Sequence, residues 1–219
     1  MRLAWIGCAW LMLFFAHAEA AALIEPHPSV LVMEFADHPD AAPYEISLSN
    51  VGKTASEFAL MWLVEEQRFD VLDAEQAKET AKTEGLRMTG IVAPDTAKRL
   101  GRLTGAQYIL YGTVVNVSVS STGTETEGWG GVSIGTTKAT VVIKCMDAKT
   151  GELVMGAKGV GKSKTSYTKI KLDQQETVAI GTRKVTQDSV TSALQKASRE
   201  AVELLTRRLY GEEDNKQRE

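Results

Sequence analysis

Apolar residues recur along this chain with two different periods, and the change of period marks out its elements. SVLVMEF at 29–35 is a short apolar run bounded by Pro28 and the polar DHPDAAP stretch, which predicts a buried strand. From Asn50, Val51, Ala55, Phe58 and Trp62 fall at helical spacing, with Glu57, Glu65 and Glu66 on the polar side, so an amphipathic helix faces a sheet. RFDVLD at 68–73 predicts the next strand, and a polar helix follows from Ala74 to about Thr83. Pro94 and Asp95 open a third helix with Ala97, Leu100 and Leu103 inward and Gly105 as its carboxyl-end cap. Residues 106–120 form a strand that is apolar on both faces at its start and alternates by its end. TKATVVIKCMD at 137–147 and the stretch from Glu152 to about Tyr167 read as two strands joined by AKTG, where Gly151 supplies a positive φ. Between Gln187 and Tyr210, Val190, Leu194, Ala197, Ala201, Leu204 and Leu205 make one stripe with Arg199, Glu200, Arg207 and Arg208 opposite, and Gly211 ends the helix. The expectation is an α/β (α+β) fold, a mixed sheet flanked by helices. Its order is β-α-β-α-α-β, then a β-hairpin and a long C-terminal helix.

Two segments interrupt this plan, VSSTGTETEGWGGVSIG at 119–135 and KTSYTKIKLDQQETVAIGTRKV at 164–185. Both are rich in Thr, Ser and Gly and longer than a compact domain needs for a turn. Each is expected to fold as an extended hairpin insertion, about 119–137 and 164–186. In the second, Ile170, Leu172, Val178 and Ile180 share one face by the period of two, with Lys169, Lys171 and Asp173 on the other. That is the pattern of a barrel strand pair, apolar outward and polar inward. The residues expected to form a membrane or oligomer surface are Trp129, Val132, Ile134, Tyr167, Ile170, Leu172, Val178 and Ile180. Trp129, between glycines, suits an interfacial anchor and a turn cover equally.

Residues 156–163, GAKGVGKS, match the phosphate-cradling pattern G-x-x-x-x-G-K-[ST]. A phosphate loop must open a helix whose first-turn amides hold the phosphates. Here Leu153, Met155, Ala157, Gly159 and Gly161 alternate with Val154, Gly156, Lys158, Val160, Lys162 and Lys164, and the alternation continues through SKTSYTKIKL. The expected element is therefore a strand, and a nucleotide hydrolase would rest on this motif alone.

The amino terminus reads MRLAWIGCAWLMLFFAHAEA, one positive charge and an apolar run from Leu3 to Phe15 followed by small residues. This is a secretory signal peptide over residues 1–20, with cleavage after Ala18 or Ala20. Cys8 precedes most of the apolar run, which does not suit a lipidation site. The exported chain keeps Cys145 alone, so no internal disulfide is available, and its Val/Ile-rich surroundings make it a core residue. A composition of 43% hydrophobic and 24% charged residues is that of one globular domain, spanning residues 28–210 before a charged, disordered tail at 211–219. The net charge of -3 argues against nucleic acid as a partner. No catalytic constellation is found and no cofactor is expected. His27 and His38, near Glu34, Asp37 and Asp40, lack a third histidine and any ligand spacing, so they read as solvated loop residues and no metal is expected. Asn116-Val117-Ser118 lies on a strand and carries no weight as a glycosylation acceptor.

With SVLVMEF, NVGKTASEFALMWLVEEQRFDVLDAEQ, APDTAKRLGRLTGAQYILYGTVV and ATVVIKCMDAKTGELV in this order before a long final helix, the chain resembles the curli secretion channel (CsgG-like) family. It is more distantly similar to the TolB amino-terminal domain and the penicillin-binding-protein activator lipoproteins. The resemblance covers about residues 28–210 and is most specific at residues 68–73, at Gly101 with 103–110, and at 147–152. These are packing and turn positions, and none is catalytic. It implies a periplasmic domain that assembles into rings, with the two hairpins contributed to a shared outer-membrane barrel. Glu125 and Glu127 in the first hairpin would then have to face the lumen or rim, since a charge on the lipid face costs about 2–4 kcal/mol at the bilayer centre. The implied function is an envelope component for outer-membrane secretion or surface-fibre assembly, acting as an oligomeric pore or periplasmic ring with an envelope or secreted protein as partner. A periplasmic module that binds an envelope or cell-wall complex is the alternative.

Overall fold

A computed structural model describes residues 27–37, 50–86, 92–126, 130–171, 177–180 and 187–211. Seven strands, β1 (Ser29–Val32), β2 (Ala36–Asp37), β3 (Asp70–Val71), β4 (Tyr108–Thr126), β5 (Gly130–Asp147), β6 (Leu153–Lys171) and β7 (Thr177–Ile180), form one sheet in the order β3-β1-β4-β5-β6-β7, with β2 also on β4. β1 is parallel to β3 and β4, whereas β4 to β7 are antiparallel, so the sheet is mixed as expected. The helices among the described residues are α1 (Val51–Glu66), α2 (Ala74–Thr83), α3 (Pro94–Thr104) and α4 (Gln187–Leu209).

Local chemistry sets the helix ends. Asp73 accepts hydrogen bonds from the amides of Glu75 and Gln76 at 2.8 and 3.3 Å and caps α2. Pro94 starts α3, and Gly105, at φ 75°, closes it with its amide on the Gly101 carbonyl. Gly151, at φ 72°, turns β5 into β6, and Asp147 Oδ1 accepts from the amides of Lys149 and Thr150, each at 2.7 Å.

Each face of the sheet has its own core. On one, Val30, Val32, Leu110, Val114, Val141 and Ile143 pack beneath α1 and α4; on the other, Leu31, Met33, Ile109, Tyr111 and Met146 pack beneath α2 and α3. A bulge between Val114 and Asn116 lets Val114 and Val117 point into the same core. The stripe α1 buries is rotated from the expected one: Val51, Gly52, Ala55, Ser56, Ala59 and Leu63 are buried, while Phe58 and Trp62 pack along its margin. Small residues let α1 approach α4 closely, where Ser198 Oγ donates to the Ala55 carbonyl at 3.0 Å. The bulky rings fit only beside that seam.

Two expected strands shrink. SVLVMEF keeps only Ser29–Val32 as β1, with the two-residue β2 just after it, and RFDVLD keeps only Asp70 and Val71, which pair with Ser29 and Val30 at the sheet edge. The first insertion, in contrast, is an extended hairpin continuous with the sheet. β4 runs unbroken to Thr126 and β5 starts at Gly130, so it is simply the continuation of the central hairpin. Threonine, β-branched and tolerant of either face, keeps these polar stretches in strand conformation where apolar residues run out.

Candidate functional site

Among the described residues no group of His, Cys, Asp or Glu could hold a metal ion. His27 is exposed; His38 and Asp40 lie outside the described residues. Cys145 is fully buried among Val141, Ile143 and the α4 side chains. Burial, and secondarily the Asp147 carboxylate, push its thiol up to about 12, the opposite of what a nucleophile needs. No described helix is long and apolar enough to cross a membrane, which says nothing of a β-barrel.

GAKGVGKS lies wholly inside β6, paired residue by residue with β5 from Gly156 opposite Lys144 to Ser163 opposite Thr137. Two of its three glycines, Gly159 and Gly161, serve helix packing. A Cβ at Gly159 would overlap the carbonyl oxygen of Ala197, and one at Gly161 that of Ala193, so only glycine lets α4 lie directly on the strand. Lys162, the would-be phosphate lysine, is exposed on the other face. No helix follows the motif, and no phosphate cradle exists there.

α4 does a second thing to β6. Glu200 Oε2 accepts from the Val160 amide at 2.7 Å, Lys196 Nζ donates to the Lys162 carbonyl at 3.1 Å, and Arg208 donates to the Gly156 carbonyl. These carry the edge of β6 that β7 does not reach, since β7 pairs only with Thr168 to Lys171. An open edge is otherwise a template for strand addition.

The feature that stands apart is an arm. The last position of the α4-facing core is Val117 on β4, Thr137 on β5 and Gly161 on β6. Thr137 Oγ1 and Ser189 Oγ, 3.1 Å apart and buried, close that core at the start of α4. Beyond it β4, β5 and β6 continue together, and β7 joins at the far end.

The expected surface residues all concern this arm. Trp129 and Leu172 lie outside the described residues, as do Ala18, Ala20 and Glu127. Val132 and Ile134 are on β5, Tyr167 and Ile170 on β6, and Val178 and Ile180 on β7. Register brings five of the six together. Val132 pairs with Thr168, Gly130 with Ile170, Ile170 with Val178 and Thr168 with Ile180, so positions 132, 134, 170, 178 and 180 share one face. Ile134 is 48% exposed. Positions 125, 131, 167 and 169 share the opposite face, which separates Tyr167 from the others and puts Glu125 away from the apolar positions.

The family model for the curli production assembly/transport component CsgG matches residues 16–218. Comparison with curated proteins finds no match. Among solved structures, lipoprotein GNA1162 from Neisseria meningitidis is 18% identical, with 63% of this chain and 83% of that chain covered and a TM-score of 0.43. The LpoB C-terminal domain from Escherichia coli is 21% identical over 60% of this chain and 81% of its own, at a TM-score of 0.41. A PelC dodecamer from Paraburkholderia phytofirmans is 16% identical over 80% and 89%, at 0.39. At such scores these three lend nothing to a reading of function.

Proposed function

The chain belongs to the curli production assembly/transport component (CsgG) family, and on that premise we propose that it works in outer-membrane secretion or surface-fibre assembly as an oligomeric pore or periplasmic ring. An envelope-associated role is the coarse form of this statement. The observation that carries the finer form is the arm of β4 to β7, which leaves the helix-covered core and places positions 132, 134, 170, 178 and 180 on one face. A transmembrane strand needs about 9–11 residues, apolar toward lipid and polar toward the lumen. The stretch 130–138 of β5 has that length, and position 125 on β4 and position 169 on β6 supply charge on the other face. One chain would give only part of a barrel, so the reading requires several copies side by side. It assigns the chain no catalytic step and no cofactor.

The test is to fractionate the envelope and size the native species in mild detergent. A large ring extracted from the outer membrane only by detergent is the expected result. A small species released from the periplasm without detergent would refute the pore and leave the fold as a binding module.

A further inference from the structure

On the arm's apolar-position face, just before the apolar positions begin, the structure holds a row of lysines. Lys138 on β5 lies directly opposite Lys162 on β6, and Lys164 follows opposite Thr136. All three are exposed, and none makes an ion pair among the described residues. Like charges directly opposite each other weaken a sheet, so the Lys138–Lys162 pair is a cost to the isolated chain that an external anion would remove.

Position relative to the arm tells which anion. From Lys138 the strand runs back to Gly130 through positions 136, 134 and 132 of the same face, and from Lys162 forward to Ile170. At about 3.3 Å per residue, the Lys138–Lys162 pair stands roughly 26 Å along the strands from the hairpin end, at the limit of a transmembrane strand of about 9–11 residues, and Lys164 roughly 20 Å, one step inside it. Lysines at the foot of an apolar face extend their stems along it and place the ammonium groups at headgroup level. An acidic polypeptide would need the charge but not the adjoining apolar positions at this spacing.

We propose that Lys138, Lys162 and Lys164 bind the phosphates of anionic phospholipid where the arm enters the membrane, and so fix its insertion depth. This rests on the reading of the arm as membrane-inserting. Each basic residue near an anionic surface contributes about fivefold in affinity at low salt, so three together give about a hundredfold.

The experiment is vesicle flotation of the full exported chain with phosphatidylcholine alone, with added phosphatidylglycerol, and with added lipopolysaccharide. The wild type is expected to bind all three. Phosphatidylglycerol should strengthen binding about a hundredfold, and salt should erase the gain. K138Q/K162Q/K164Q is expected to lose that gain while keeping its binding to phosphatidylcholine, and K138R/K162R/K164R to retain it. Relief of the Lys138–Lys162 repulsion should leave the glutamine variant's thermal unfolding midpoint unchanged or raised, which excludes misfolding as the cause. Equal binding to neutral and phosphatidylglycerol vesicles, a gain kept by the glutamine variant, or a gain with lipopolysaccharide alone would overturn the lysine site while leaving insertion standing. Failure to bind any vesicle would remove the inserting arm and the site with it. Retention on polyglutamate without a phosphatidylglycerol gain would assign the row to an acidic protein instead.

Discussion

Gly159, Gly161 and Cys145 lie on the α4-facing side of the sheet, and each is fixed by how near the helix comes. A side chain at either glycine meets α4 backbone rather than a movable side-chain end. Gly161→Val is therefore expected to destabilise by about 3 kcal/mol or more, above the usual overpacking cost of about 1–3 kcal/mol. Lys162→Ala, one position on but facing solvent, is expected to leave stability within about 0.5 kcal/mol and to leave no nucleotide affinity to lose. Urea titration of the two variants separates a helix seat from a phosphate loop. The reverse order of effects would restore the loop. Cys145 adds a pH signature. Its thiol is held at about 12 in the fold against about 9 in the open chain. Below pH 9 both states are protonated and nothing changes; between 9 and 12 only the unfolded chain ionises, so stability falls as pH rises. The urea midpoint should stay level to about pH 9 and then decline, more steeply in the wild type than in Cys145→Ala.

Among the elements, α4 is the one on which the others depend. It covers β5 and β6 by its apolar stripe and holds the free edge of β6 by Glu200, Lys196 and Arg208. Glu200→Ala is expected to cost about 1 kcal/mol, the net worth of one hydrogen bond, and to abolish hydrogen-exchange protection at the Val160 amide. Unchanged protection there would mean that the carboxylate does not hold the edge. The apolar stripe of α4 was legible in the sequence because period and length agree over six turns, and α3 and the Gly151 turn were legible from Pro94, Gly105 and the glycine itself. The edge contacts were not, since which charged residue of α4 meets β6 depends on a crossing that only tertiary packing sets. The rotated stripe of α1 was missed because the large rings of Phe58 and Trp62 offer more apolar area than Ala59 and Gly52, while close helix contact selects the small residues. GAKGVGKS was read correctly as a strand from its alternation. The reason for its glycines was invisible until α4 was laid on it.

For the whole molecule, the decisive question is whether the arm belongs to the fold or only to the function. The sequence placed two hairpins as insertions, and the continuous register of β4, β5 and β6 gives no break at either boundary. Burial draws a line that hydrogen bonding does not: the α4-facing core ends at Val117, Thr137 and Gly161. Val119 and Thr137 are cross-strand partners, so an Asn-Gly turn joining them directly removes 120–136, keeps Thr137 and its contact with Ser189, and does not disturb the pairing behind it. If the arm is functional only, this shortened chain is expected to keep its thermal midpoint within about 5 °C, because almost no apolar area on the α4 side is lost. It should also leave the detergent-extracted ring and appear in the periplasmic fraction. Collapse of the fold would show that the arm's long ladder supports the core. An intact outer-membrane ring from the shortened chain would mean that no barrel is built from this hairpin, and that the membrane is reached by some other part of the protein.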